Sequence, residues 1–104
     1  MQELGEKEKY EIERGLYPMK HTYRTKGTCS VQIDFDLSDD GVLSNVIYTG
    51  GCNGNLQGIS KLVEGRKAQD VIQTLKGIRC GYKETSCPDQ LARALETACK
   101  KQFH

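Results

Sequence analysis

The sequence predicts an α+β domain: a small antiparallel sheet of two or three strands, built on a β-hairpin and covered on one face by three helices. Three observations carry this expectation. Residues 29–37 alternate apolar and polar with period 2, a turn follows at 38–41, and a second β-favouring run occupies 42–49. After Asn55 the apolar spacing changes to the helical i, i+3, i+4 pattern. Every strand signal precedes every helix signal, which excludes an alternating βα architecture.

Taken in order, residues 1–15 (MQELGEKEKYEIERG) offer only Leu4, Tyr10 and Ile12 for packing and read as a charged N-terminal arm, with the domain proper over 17–104. Tyr17 to Lys26 carries Tyr, Thr and His between Pro18 and Gly27, the marks of an edge strand. Cys29, Val31, Ile33, Phe35 and Leu37 alternate with Ser30, Gln32, Asp34 and Asp36, so one face is expected in the core and the other in water. Ser38-Asp39-Asp40-Gly41 supplies the turn, and Val42 to Thr49 returns. If Leu37 faces Val42, then Cys29 faces Gly50, and Cys29 and Cys52 meet at the open end of the hairpin. Leu56, Ile59, Leu62 and Val63 fall on one helical face, with Asn53 or Asn55 as cap and Gly65 as stop. Ala68, Val71, Ile72 and Leu75 form a second helix ending at Gly77. A third opens at Ser86-Cys87-Pro88-Asp89, where Pro88 suits the first turn and Asp89 the positive end of the dipole; its apolar face is Leu91, Ala94, Leu95, Ala98 and Cys99.

Composition bounds the function. The chain has 104 residues, of which 22 are Leu, Ile, Val or Phe, near the lower edge of what one packed core needs. Its 15 basic and 14 acidic residues are scattered, so nucleic acid is not the expected partner. No run approaches the roughly 18 apolar residues of a membrane helix, and the charged first thirty residues do not read as a leader; a cytoplasmic protein is expected.

Five cysteines, at 29, 52, 80, 87 and 99, are many for this length, and in a reducing compartment such thiols bind metal or react more often than they pair. Cys99 continues an apolar stripe and reads as core. Cys52, in a glycine-rich turn before a helix, and Cys87, at a helix start, both sit where the dipole favours the thiolate. Cys80 lies seven residues before Cys87. Cys29, Cys52, Cys80 and Cys87 together satisfy the tetrahedral preference of zinc, with His21 as an alternative ligand and His104 terminal. No C-x-x-C knuckles are present, so the site would be assembled from a hairpin end, a turn and a helix start. Two other readings stand beside this one. Gly50, Gly51, Asn53, Gly54 and Asn55 could cradle a phosphate or nucleotide, although neither a Walker lysine nor a dinucleotide fingerprint is present. Cys80 and Cys87 could form a switchable thiol pair. A hydrolytic triad has only His21 to draw on.

Thr85-Ser86-Cys87-Pro88-Asp89, with Gly27-Thr28-Cys29-Ser30, Gly50-Gly51-Cys52-Asn53-Gly54-Asn55-Leu56 and Cys80-Gly81, resembles the TSCPD domain family over about Tyr23 to Ala98. That family occurs at the C-terminal end of cobalamin-dependent ribonucleotide reductases and as short stand-alone proteins. The resemblance therefore implies a link to ribonucleoside-diphosphate reduction and DNA precursor synthesis, with the reductase or another redox protein as partner. A reductase active site needs far more chain than this to enclose it, so an accessory role is expected, without a complete catalytic site. The order of the cysteines is also similar to that of U-type iron-sulfur cluster assembly scaffolds, a likeness that implies a shared fold and zinc or an iron-sulfur cluster at Cys29, Cys52 and Cys87. The scaffold's Asp after the first cysteine and His beside the last have no counterpart; Ser86 stands in the latter place.

Overall fold

The computed structural model describes residues 18–51 and 53–103, with the Asn53 side chain excepted. The charged arm at 1–15, Cys52 and His104 lie outside the described residues. Three strands, β1 (Met19–Arg24), β2 (Ser30–Leu37) and β3 (Leu43–Gly50), form one antiparallel sheet in the order β1-β2-β3, and three helices follow: α1 (Asn53–Val63), α2 (Ala68–Leu75) and α3 (Cys87–Phe103). This is the α+β arrangement the sequence predicts.

β1 is an edge strand, as the sequence implies. Ile33, Phe35 and Leu37 of β2 and Leu43 and Val46 of β3 point inward to meet Val63, Val71, Ile72, Leu91, Ala94, Leu95 and Ala98 in a single core. α3 crosses β1 and β2, α2 packs on α3, and α1 packs on β3. Cys99 lies partly buried against this core, as its place in the stripe predicts, and burial pushes its thiol up.

The hairpin register differs from the expected one. Leu37 pairs with Leu43 and Ser30 with Gly50, so the connection spans five residues instead of four. The Ser38 hydroxyl accepts the Val42 N–H and the Gly41 N–H bonds the Ser38 carbonyl, closing this longer turn. Two irregularities follow along the ladder. Between Ser30 and Gln32 an extra residue, Val31, has no counterpart on β3. The slip reverses the faces at this end of the strand: Val31 is 52% exposed, whereas Ser30, expected in water, is buried. Cys29 precedes β2 and is exposed. Farther on, Asn45 and Val46 span on β3 the interval that Phe35 alone spans on β2. Asn45 takes a φ of 55°, its N–H bonds the Glu64 carboxylate and its amide bonds Asp36, which is buried beneath it instead of solvated.

α1 begins at Asn53, so Gly54 and Asn55 belong to its first turn rather than to a preceding loop, and Asn55 is not its cap. Leu56 and Val63 are buried, but Leu62 is 76% exposed. Leu62 lies about 100° around the helix from Val63, beyond the stripe that β3 covers. Among the described residues no helix is long and apolar enough to cross a membrane.

Candidate functional site

The residues that gather the site lie in Thr85–Gln90, at the start of α3, and in the loop joining β1 to β2. Ser86 caps α3: its hydroxyl accepts the Asp89 N–H at 3.1 Å and donates to the Ile78 carbonyl at 2.6 Å. Asp89 is 1% exposed, and its carboxylate accepts the Thr85 hydroxyl, the Gly77 N–H at 2.7 Å and Arg93 Nε at 2.8 Å. Burial works against its charge, and the bonds from Thr85, Gly77 and Arg93 outweigh it and hold the carboxyl below the ordinary aspartate range.

Gln90 joins the two elements. Its side-chain nitrogen donates to the Thr85 hydroxyl at 2.9 Å, and its oxygen accepts the Lys26 N–H at 3.0 Å. The β1–β2 loop is thereby pressed onto α3. Gly27, at φ 75°, sits so close that a Cβ there would lie 3.1 Å from the Thr85 methyl. Thr25 and Thr28 hydroxyls donate to the Ser30 carbonyl, and the Thr25 N–H bonds the Val31 carbonyl, which fixes the loop's return into β2.

These contacts place Cys29 Sγ 3.8 Å from Cys87 Sγ and Ser30 Oγ 3.2 Å from Cys87 Sγ. Burial pushes the Cys87 thiol up, but hydrogen bonds from the Ser30 hydroxyl, the Ser30 backbone N–H, Cys29 and Thr28 outweigh it, so Cys87 titrates below the usual cysteine range. The Tyr48 hydroxyl donates to the Cys87 carbonyl at 3.0 Å; its burial, and then the nearby Cys87 charge, raise the phenol well above its ordinary value. Gly51, at φ 83°, closes the other side: a Cβ there would lie 3.2 Å from Cys29 Sγ and 2.8 Å from Leu56 Cδ1.

Two other sequence candidates lie elsewhere. His21, half-buried, stacks on Phe35 at 5.4 Å and shares a 2.8 Å hydrogen bond with Gln102, away from the thiols. Gln102 is separated from Cys87 by about 22 Å of helix, so His21 belongs to the opposite end of α3. Cys80 is exposed in the loop before α3, where its N–H bonds the Thr85 carbonyl. Among the described residues no three His, Cys, Asp or Glu side chains form a group that could hold a metal ion, so Cys80 does not join Cys29 and Cys87. Gly50 and Gly51 precede α1 with positive φ, and Gly54 and Asn55 are exposed in its first turn. Neither Ser30 nor Gln90 is marked as a site residue by the sequence pattern: alternation places Ser30 on the wet face, and nothing in the periodicity of α3 singles out Gln90. The signal for Ser30 is its place in Gly27-Thr28-Cys29-Ser30.

Fold and site together define a small α+β domain with two thiols held against each other where a sheet loop meets a helix start. The chain belongs to the TSCPD domain family, whose model matches residues 8–99. This is a family associated with ribonucleotide reductase. No curated protein and no solved structure matches the chain, so the likeness to U-type scaffolds rests on the layout of its cysteines alone.

Proposed function

We propose that this chain is a metal-binding accessory domain of ribonucleotide reduction, working in the cytoplasm, with Cys29, Cys52 and Cys87 as the ligands of a zinc ion, or less favourably of an iron-sulfur cluster. The observation that carries the reading is the 3.8 Å separation of Cys29 Sγ and Cys87 Sγ. Two thiolates about 2.3 Å from one tetrahedral zinc stand about 3.8 Å apart, so the pair fits the edge of such a site. The depressed Cys87 thiol supplies the thiolate that a metal needs. Gly51, the residue before Cys52 in sequence, lies against Cys29 Sγ, which supports Cys52 as the third ligand. Cys80 stands apart and leaves the fourth position to a group from a partner or solvent, a feature of zinc sites that are not purely structural. The metal, when bound, supplies positive charge that holds the thiolates together.

Ser30 then serves as an outer partner, its hydroxyl orienting the Cys87 sulfur. Elemental analysis and absorbance of anaerobically purified protein test the reading. About one equivalent of zinc is expected in the wild type, lost in Cys52→Ser and Cys87→Ser and retained in Cys99→Ser. Less than about half an equivalent of zinc or iron, with all thiols titrating free, rejects it. Co-purification with a ribonucleotide reductase tests the association; a chain that elutes alone from a mixture with that enzyme counts against it.

A further inference from the structure

We infer that Cys29 and Cys87 are an oxidation site, converted by peroxide into an intramolecular disulfide. This goes beyond the metal reading, because it requires neither Cys52 nor a metal. The two sulfurs are 3.8 Å apart although 58 positions separate them in sequence. A disulfide needs about 2.05 Å, so the two sulfurs have under 2 Å left to close. Both cysteines are held by the same junction: Cys87 sits in the Ser86-capped first turn of α3, and Gln90 of that helix, with Thr25 and Thr28, fastens the loop that carries Cys29. The pair is therefore preassembled.

Exposure assigns the roles. Cys29 is open to solvent and meets the oxidant first, whereas Cys87 is 8% exposed and shielded from it. The Cys29 sulfur takes one oxygen from hydrogen peroxide, giving a sulfenic acid and releasing water. The Cys87 sulfur attacks that sulfur; the S–S bond forms, the S–O bond breaks, the hydroxyl leaves as a second water with the Cys87 thiol proton, and two thiols have given two electrons to one peroxide. Cys80 is exposed but is not grouped with these thiols, and Cys99 is half-buried on the core side of α3. Both are expected to stay reduced while the pair closes.

The test is mass spectrometry of the full chain, reduced, desalted and titrated with hydrogen peroxide before alkylation. Two of the five thiols are expected to resist alkylation, with a single cross-linked peptide joining Cys29 to Cys87. Cys29→Ser and Cys87→Ser should each abolish that peptide. Cys52→Ser should keep it while losing metal, so the failure of either inference is read separately. A cross-link through Cys52 or Cys80, or Cys29 advancing to the sulfinic acid with Cys87 still free, overturns the assignment.

Discussion

Helices α2 and α3 begin in opposite ways. At α2 the cap residue Lys67 has an extended backbone, φ −70° and ψ 138°, and its side chain makes no capping bond. The chain around it is held by the hairpin: Val42 bridges Lys67, the Ala68 N–H bonds the Gly41 carbonyl and the Leu43 N–H bonds the Arg66 carbonyl. At α3 the helix carries its own fastening in Thr85, Ser86 and Asp89, reinforced by Gln90. The difference separates architecture from chemistry within Thr85-Ser86-Cys87-Pro88-Asp89. Thr85, Ser86 and Asp89 bond within the helix start and its adjoining loop, and Pro88 takes a first-turn place where an N–H has no helical partner. The Cys87 thiol alone bonds away from them, to Ser30 and Cys29. Local structure does not require it.

Removing Asp89 should break the comparison most severely. Asp89→Ala strands the Gly77 N–H and the Thr85 hydroxyl and is expected to cost about 3 kcal/mol, read as a shift of the urea midpoint at unchanged slope. Because its folded pKa is depressed, Asp89 contributes stability that is complete above the ordinary value of about 3.9 and is lost as pH falls through the lower folded value. Asp89→Asn should therefore flatten the acid limb of a stability profile below about pH 4, leaving the part due to Asp34, whose carboxyl the Thr22 hydroxyl and Gln32 amide also depress. An unchanged acid limb would remove Asp89 from the centre of the fastening. Ser86→Ala comes next, at about 1 to 2 kcal/mol, since it deletes a cap and leaves the Ile78 carbonyl without its bond. Smallest is Lys67→Ser, which adds the missing side-chain cap to α2 and should raise stability by about 0.5 kcal/mol in thermal melts. A loss there would mean that the hairpin pairing already meets every need of that helix start.

The same contrast explains what was legible in the sequence. The start of α3 could be read because its determinants are consecutive, and the sheet because Ile33, Phe35 and Leu37 alternate without a break. The start of α2 carries no capping residue, since its bonds come from Gly41 and Val42, some 25 positions earlier. The expected hairpin register brings Cys29 to Cys52, which lies outside the described residues, and ties Cys87 to them only as a further ligand; what brings Cys29 to Cys87 is the β1–β2 loop reaching α3 through Gln90, a long-range bond with no periodic trace. Alternation predicts the wrong faces for Val31 and Ser30 because a single unmatched residue inverts a strand of period 2, and composition does not announce where it falls.

The left-handed turn at Asn45 has a consequence for the company this domain keeps. β3 ends the sheet, and an edge with a straight row of free amides and carbonyls invites a neighbour's backbone to zip onto it. The kink at Asn45, its backbone N–H spent on Glu64, interrupts that row midway, so a foreign strand finds only short, misaligned stretches to grip on this edge.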